Sequence, residues 1–550
     1  MRPHRPLQTA EILAARSAVV RGAAGRDDRV HAVGGRPVRR ARAAREWHDL
    51  LLFMRAHPHA PWVASWADEA LAALTQALDD GQREALADGG VATAPTRSTF
   101  SWPLVRHLLD DPLVHAQLDG VDAATDVLPE LLRPLFAAVA RETPDLVGDA
   151  DADALLATLF GDQRDTWLPS LARAVAQAPM SDTWRAVVWS RLAVTLSVRS
   201  PDAGLTFARA PHDAPVLVPR GPQRDADVHA ACAEPPPLAV RLTTSKRVGL
   251  IRTARLVLAS LQRETDPVTH AETVTLHDMG RGVRIALFPL APAVRLPFDS
   301  YVGFMAFRNG VPLAYGGAWI YPGRSKVGIN VFPAMRGGES AWFFAQLLRL
   351  YHHRYDVRVF EAENYQLGHG NAEGLRSGAY WFYYRLGFRP TDPRLARLAA
   401  REHAALQARR DHVVPRPLLC ELVADGLELV IAADALAPTD TGALTLAVQR
   451  HVATRYGGDV EAAQRAANAR LTALIPGRPH SPRSAAAPGA AAWRVALDAI
   501  ADLEQWPSRD RRALGPLLRT KDAPDERRHQ ALLRAHPRLL EAWRALSEAD

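Results

Sequence analysis

Apolar residues recur at helical spacing over much of the chain. Residues 42–199, 396–475 and 493–550 show this period, which is typical of helices that bury one face. A further helix is predicted between about residues 245 and 263, with its apolar positions on one side. Most of the chain is therefore predicted to be helical.

The region after residue 263 has a different pattern, in which short apolar or alternating runs are bounded by turn residues. The Asn309-Gly310 pair between two of these runs favours the positive φ angles of a tight hairpin, so the flanking strands are predicted to be antiparallel neighbours. Pro333 ends the last strand before a glycine-containing loop, because proline cannot donate to a sheet ladder. The predicted strands cover residues 273–277, 283–288, 301–307, 311–319, 327–332 and 357–363.

Breaks in composition divide the chain into segments. Proline is dense over residues 200–236, and proline and alanine dominate residues 476–492, so both stretches are predicted to be linkers. The fold class is α+β, with a mostly antiparallel sheet flanked by helices and with additional all-α regions at both ends. The predicted segments are a disordered arginine-rich tail (1–41), a helical domain (42–199), a linker (200–236), a mixed domain (237–395), a helical region (396–475), a linker (476–492) and a C-terminal helical segment (493–550).

The charge of the chain is weakly basic. It has 67 Lys and Arg against 60 Asp and Glu, a formal net charge of +7, and only three lysines. The acids are interspersed, whereas a nucleic-acid binder concentrates its basic residues in one stripe. Nucleic acid is therefore the least favoured partner. If the chain did bind nucleic acid, the arginine-rich first 45 residues would make the contact. Those residues also resemble an organellar transit peptide, but a disordered tail is the preferred interpretation.

The cysteine and hydropathy patterns limit the cellular compartments in which the chain is expected. Cys232 and Cys420 are far apart and form neither a metal-type pair nor a disulfide framework, which fits a reducing compartment. No apolar run approaches the length that crosses a bilayer. The chain is predicted to be cytoplasmic, without a membrane partner. No metal site is predicted, since adjacent His352 and His353 on a helix point in different directions.

The most informative stretch is residues 329–390, and it includes residues 331–341, Val-Phe-Pro-Ala-Met-Arg-Gly-Gly-Glu-Ser-Ala. A strand that runs into glycines and then into a helix leaves N–H groups free at the helix start. These donors, with the helix dipole behind them, suit a phosphate or another anion. This segment is therefore predicted to hold the working site, although a plain turn between a strand and a helix is the alternative.

Residues 237–395 resemble the GNAT superfamily of acyl-CoA N-acyltransferases. The first motif of that family is a strand ending in Val-x-Pro before a basic, glycine-containing loop, and Arg336 and Ala341 stand where it expects them. The second motif is an aromatic helix ending in Tyr-x-x-Leu-Gly-Phe, matched by residues 383–388. The resemblance covers less than a third of the chain, and it implies a GNAT-like fold there.

What the resemblance implies is direct transfer of an acetyl or longer acyl group from an acyl-CoA thioester to an amine. The loop amides would hold the diphosphate, and two splayed strands would hold the pantetheine arm. A main-chain N–H near Val331 would contact the thioester carbonyl, and Tyr383 would protonate the departing thiolate. The implied cofactor-binding residues are Val331, Arg336, Gly337, Gly338, Glu339, Ser340, Ala341 and Asn371, although Asn371 lies farther from Tyr383 than the usual pattern has it.

A carboxylate or histidine must take the proton of the attacking amine near neutral pH. Glu361, Glu363 and His369 are the candidates in the matching segment. Each has a structural alternative: the two glutamates lie on one face of a strand and fit a solvated edge, and His369 fits an ordinary loop. Tyr383 also fits plain packing, since it belongs to an aromatic cluster.

Glu339 departs from the family pattern, because it stands at the central glycine of the first motif. A carboxylate beside a diphosphate would repel it unless the side chain points away. The alternative function is therefore a catalytically inactive scaffold that has lost coenzyme A binding.

Overall fold

The computed structural model of the chain describes most residues between 5 and 548. The residues outside the description are 1–4, 24, 26–28, 31–33, 35, 123–130, 133–134, 136–151, 201–203, 212–214, 222, 410, 433–437, 476–487, 522 and 549–550.

The described strands form two sheets, one of three strands and one of eight. The small sheet has the order β1-β3-β2, and the large sheet has the order β10-β11-β9-β8-β7-β6-β5-β4. All neighbours are antiparallel except β8 and β9, which are parallel. The strands are β1 (Thr96–Thr99), β2 (His115–Val121), β3 (Val194–Arg199), β4 (Thr275–Gly280), β5 (Val283–Pro289), β6 (Ser300–Arg308), β7 (Val311–Tyr321), β8 (Arg324–Val331), β9 (Val359–Ala362), β10 (Arg389–Pro390) and β11 (Leu427–Val430).

The helices surround both sheets. Many begin at a side-chain cap, as where the Thr243 hydroxyl accepts the N–H of Lys246. They are α1 (Thr9–Arg21), α2 (Ala41–Ala56), α3 (Pro61–Ala77), α4 (Asp80–Ala85), α5 (Trp102–Leu109), α6 (Ala152–Phe160), α7 (Trp167–Gln177), α8 (Asp182–Leu192), α9 (Val228–Ala233), α10 (Thr244–Ala259), α11 (Asp266–Thr269), α12 (Ser340–Tyr355), α13 (Asn364–Leu367), α14 (Ala372–Ser377), α15 (Ala379–Arg385), α16 (Pro393–Ala408), α17 (Arg416–Leu422), α18 (Thr441–Tyr456), α19 (Val460–Leu474), α20 (Pro488–Asp498), α21 (Ser508–Thr520), α22 (Arg527–Arg534) and α23 (Pro537–Glu548).

The predicted α+β class is confirmed, and so is the hairpin between β6 and β7. Asn309 has φ 47° and Gly310 has φ 85°, the backbone that a tight turn between antiparallel strands requires. The Asn309 side chain donates to the carbonyl oxygens of Ala56 and Leu217, each at 3.0 Å. The turn therefore also ties α2 and the proline-rich segment to the sheet.

The first 41 residues differ from the predicted disordered tail, because α1 lies within them. Ile12, Ala15 and Ala18 are buried at helical spacing. Arg16 donates from Nη2 to the carbonyl oxygens of Pro333 (3.1 Å) and Ala334 (3.0 Å) at the end of β8. The arginine content suggested disorder, whereas the three apolar positions determine the packing.

The region predicted as one helical domain, 42–199, divides into two parts. α2 packs in the same core as the large sheet, with Trp47 and Leu50 buried there. Residues 96–199 contain the small sheet and have a separate core around Trp102 and Trp189. The short strands of the small sheet were not predicted, because the sequence on both sides of each strand has apolar residues at helical spacing.

The large sheet extends beyond the predicted boundary at residue 395. β11 lies in the region predicted to be helical, and it pairs with β9 from Leu427↔Ala362 to Val430↔Val359. Of the linker predicted over 476–492, residues 476–487 lie outside the described part of the chain, and α20 begins at Pro488. The other predicted linker contains α9, which packs on α12.

The C-terminal helices α18–α23 form a third core around Trp493 and Trp543. This core meets the large sheet through buried Gln530, whose amide donates to Ser300 Oγ (2.8 Å) and to the carbonyl oxygen of Ile320 (3.2 Å). Among the described helices, none has the length and apolar character that a bilayer crossing requires.

Candidate functional site: two joined cavities at the end of β8

β8 and β9 lie side by side for only three residue pairs. Arg324 pairs with Val359, and Lys326 pairs with Glu361. β8 then continues along β7 as far as Val331, while β9 follows β11. Beyond Lys326 the two parallel strands therefore part, and no described strand covers that edge of β8.

The N–H of Val331 points into this gap. The next residue, Phe332, donates its N–H to the carbonyl oxygen of Leu313 on the β7 side, at 3.1 Å. Successive N–H groups of a strand point to opposite edges, so that of Val331 points toward the open side. Val331 also lines the cavity there.

The loop after β8 presents a row of backbone donors. The N–H groups of Met335 and Arg336 are used inside the turn, by the carbonyl oxygens of Phe332 (2.8 Å) and Pro333 (3.3 Å). From Gly337 to Ala341, no described residue accepts a hydrogen bond from the backbone N–H groups. Because α12 begins at Ser340, these donors coincide with the positive end of a helix dipole.

The gap between the strands opens into a cavity of about 490 Å³, which we call the strand cavity. Its lining residues come from segments that are far apart in the chain. Its lining includes Arg45, Asp88, Arg263, Tyr315, Ile329, Asn330, Val331, Arg336, Gly337, Ser340, Gln366, Asn371, Glu373, Phe382 and Tyr383.

A second cavity of about 780 Å³ adjoins it, and we call it the arginine cavity. The two cavities share Gly337, Ser340 and Phe382, so they meet at the start of α12. The charged residues that line the arginine cavity are four arginines and one aspartate: Arg21, Arg224, Arg385, Arg389 and Asp225. Its electrostatic potential is therefore positive.

Glu339 does not enter either cavity. Its carboxylate is buried, accepts a hydrogen bond from the N–H of Gln223 at 2.6 Å, and forms ion pairs with Arg308 and Arg281. The predicted repulsion of a diphosphate is therefore absent, because three donors hold the carboxylate on the far side of the loop.

Tyr383 lies on α15 and lines the strand cavity. It is 2 % exposed, and its hydroxyl has no hydrogen-bond partner of normal geometry within the described chain. Burial raises its pKa above the usual range, while the nearby N–H of Ile329 acts in the opposite direction. The phenol therefore stays protonated and keeps an unused donor beside the open edge of β8.

Arg336 and Asn371 line the strand cavity, and both side chains interact with other residues of the chain. Arg336 pairs with Glu373 at 2.7 Å, and this pair lowers the pKa of Glu373. Asn371 caps α14 by accepting the N–H of Gly374 (3.1 Å), and its amide donates to the carbonyl oxygen of Tyr365 (3.2 Å). These bonds use one of the two amide N–H donors of Asn371, so its contact with a cofactor stays a prediction.

The predicted proton acceptors are not brought to the strand cavity. Glu361 pairs with Arg324 at 2.7 Å and Glu363 pairs with Lys326 at 3.0 Å, and both line a third cavity on another part of the sheet. His369 is exposed and lines neither of the two joined cavities. The two-residue period placed the glutamates on one face correctly, but only the folded sheet shows which cavity that face meets.

Apart from Arg336, the basic residues of both cavities were not predicted from the sequence. Arg21 and Arg224 come from segments predicted as a tail and a linker, and Arg45 comes from α2. Since 64 of the 67 basic residues are arginine, no local pattern singles these out. Arg385 alone carries a signal, since it lies inside the Tyr-x-x-Leu-Gly-Phe run.

Groups of His, Cys, Asp and Glu that could hold a metal ion are absent from the described part of the chain. Comparisons with protein-family models, with curated proteins and with solved structures find no match to this chain.

Proposed function

We propose that the protein transfers an acyl group from an acyl-CoA thioester to the amine of an acceptor. The observation that carries this proposal is the parting of β8 and β9 beside the unpaired N–H groups of residues 337–341. The motif resemblance to the GNAT superfamily supports it, as does a mostly antiparallel sheet whose one parallel pair opens at that point. The GNAT-like assignment of residues 237–395 is part of the same proposal.

The donor would lie across both cavities. Its diphosphate would accept from the N–H groups of Gly337 to Ala341, where the cavities meet. Its nucleotide phosphate would face the arginines of the arginine cavity, because opposite charges attract most strongly where water is partly excluded. The pantetheine arm would follow the open edge of β8, and its amides would take the place of the missing strand.

The reacting thioester would then lie near Val331. Its carbonyl oxygen would accept the Val331 N–H, which stabilises the negative charge of the tetrahedral intermediate. The amine attacks the carbonyl carbon, the C–S bond breaks, and the acyl group remains on nitrogen as an amide. The Tyr383 phenol would donate a hydrogen bond to the departing thiolate. Full proton transfer from the phenol is uphill, because a thiol has a pKa of about 8.5.

The attacking amine must also lose a proton. The carboxylates of the strand cavity are Asp88 and Glu373, and Arg336 holds the pKa of Glu373 below its usual range. Glu373 is therefore a weak base. We expect the rate to rise with pH until the acceptor amine itself is unprotonated.

Acetyl-CoA binding tests the donor half of the proposal. In Ala341→Glu a new carboxylate faces the arginine cavity, and we expect at least a tenfold loss of acetyl-CoA affinity by calorimetry. An acid in the first turn of a helix favours the helix, so this change preserves α12. Ala341→Gln is the matched control of the same size, and it should bind acetyl-CoA far more tightly than Ala341→Glu. Equal losses in both variants would count against an anion at this position.

A non-catalytic scaffold is the second candidate, and one observation favours it. α1 covers part of the loop, with Val20 Cγ1 3.0 Å from where a Cβ on Gly337 would stand. A wild-type melting curve that does not move with any acyl-CoA would favour this scaffold over the transferase.

A further inference from the structure

The third cavity, of about 750 Å³, lies between the large sheet and the C-terminal helices. We call it the acidic cavity. Five carboxylates and three basic groups line it, so its formal charge is −2. These residues are Asp299, Glu361, Glu363, Asp440 and Glu548, with Arg324, Lys326 and Arg544.

The floor of the acidic cavity is a patch of two neighbouring strands. Trp319 and Tyr321 are two residues apart on β7 and therefore lie on one face of the sheet. Lys326 stands opposite Trp319, and Arg324 stands opposite Tyr321, on β8. The basic groups of this floor are occupied, since Lys326 pairs with Glu363 and Arg324 pairs with both Glu361 and Glu428.

Trp319 offers an aromatic surface to the cavity. One face of its indole is stacked on Tyr301, with ring centroids 4.2 Å apart and planes 8° apart. Gly317 makes room for that stack, because a Cβ there would lie 2.4 Å from the Tyr301 ring. Trp319 is nevertheless 38 % exposed. Because Tyr301 covers one face, the exposed part belongs to the rest of the indole, whose neighbour on the other adjacent strand is Lys326.

The acidic cavity also holds two hydroxyls without a hydrogen bond of normal geometry in the described chain, those of Tyr321 and Thr439. They lie close enough to influence each other. Tyr321 is 7 % exposed, so water does not readily satisfy it. Even if these two hydroxyls bonded to each other, one donor would remain for a bound polar group.

Asp299 is a carboxylate of this cavity that has no ion pair within the described chain. It accepts the Thr441 hydroxyl at 3.0 Å. Burial raises the pKa of Asp299 despite Lys326 and Lys521 nearby. A bound cation would supply the missing positive charge.

We propose that the acidic cavity binds an organic ammonium ion that also carries a hydroxyl group. The ammonium would lie over the exposed part of the Trp319 indole, attracted by the ring quadrupole and by the excess of carboxylates. The hydroxyl would bond to Tyr321 or Thr439. This site stands independently of acyl transfer, since it uses none of the residues that line the strand cavity or the arginine cavity.

Choline and its neutral carbon analogue 3,3-dimethyl-1-butanol form a matched pair of probes, equal in shape and different only in charge. We would titrate each into the full chain at low ionic strength and measure binding by calorimetry. Choline is expected to bind at least fivefold more tightly than the alcohol. Trp319→Leu is expected to weaken choline binding roughly two- to thirtyfold, which is the range of a cation–π contact, and Trp319→Phe is expected to weaken it less.

Trp62→Leu is the control, because Trp62 is 47 % exposed and lines none of the three cavities. It should leave choline binding unchanged. Melting curves of each variant would show that the chain is folded. Equal binding of choline and the alcohol, no binding of choline by the wild type, or unchanged choline binding by folded Trp319→Leu would each overturn the proposal.

Discussion

The carboxylate of Glu339 is paired with the guanidinium of Arg308 on β6, and the side chains of both are almost fully buried. Arg308 also donates to the carbonyl oxygen of Ala56 at 3.2 Å. The pair therefore joins the loop before α12, the edge of the hairpin and the end of α2. It keeps negative charge away from the N–H groups of residues 337–341.

Replacing Glu339 by Gln should destabilise the protein strongly. Removing one partner of a buried pair leaves the other charge uncompensated, at a cost of roughly 3–5 kcal/mol. Denaturant unfolding measures this free energy. Glu373→Gln is the control, because its pair with Arg336 is more than half exposed and such pairs contribute about 0–1 kcal/mol. Similar losses in both variants would contradict the structural role of Glu339.

Tyr383→Phe should separate activity from stability. If the phenol donates a hydrogen bond to the leaving thiolate, kcat should fall about 10- to 100-fold, which is the contribution of a hydrogen bond to a charged group, with little change in KM. Stability should stay level or rise, because the lost hydroxyl has no hydrogen-bond partner in the described chain. Tyr351→Phe is the matched control. Its hydroxyl donates to the carbonyl oxygen of Val302 at 2.9 Å, so that variant should lose about 0.5–1.5 kcal/mol and keep its activity.

Arg385→Gln should weaken acetyl-CoA binding and make it less sensitive to salt. Arg385 is exposed and lines the arginine cavity, so its contribution to binding is electrostatic and is screened by ions. Affinity measured between about 50 and 300 mM salt tests this. Arg376→Gln, an exposed change on α14 outside that cavity, should leave the salt dependence as it is. A variant at Arg385 that binds like the wild type at every salt concentration would count against a charged ligand there.

Stability should fall as pH decreases from about 6.5, in part through His529. Burial holds the pKa of this histidine well below its usual value, so below pH 6.5 the unfolded chain binds a proton that the folded chain does not. By linkage, unfolding becomes easier by up to about 1.4 kcal/mol per pH unit for such a group. His529→Gln should reduce this slope in denaturant unfolding curves measured from pH 7 to 5. His369→Gln, at an exposed position, should not.

Several local elements of the fold could be predicted from the sequence. The Asn309-Gly310 turn, the long helix now seen as α10 and the strand that ends before Pro333 each follow from a short run of residues. The helix α1 was also encoded locally, by Ile12, Ala15 and Ala18, but its arginine content suggested a tail. The short strands β1 and β11 were missed, because their partners lie far away in the chain: β3 is about 100 residues from β1, and β10 and β9 are about 40 and 70 residues from β11.

The candidate site was predicted only in part. The unpaired amides after β8 follow from residues 331–341, since a proline-ended strand, a glycine turn and a helix start leave donors free. The direction of the Glu339 side chain depends on its ion pairs with Arg308 and Arg281. These arginines are far from Glu339 in the sequence, so the local pattern does not predict the pairs. The same holds for Glu361 and Glu363, whose partners Arg324 and Lys326 draw them to the acidic cavity.

The sequence by itself determined the elements and the backbone chemistry of the loop, because backbone preferences and helix starts depend on neighbours a few residues apart. The tertiary structure alone decided where β8 and β9 separate, which arginines surround the loop and where the buried charges point. Those outcomes arise from contacts between distant segments. In a chain whose basic residues are nearly all arginine, composition does not distinguish the few that converge.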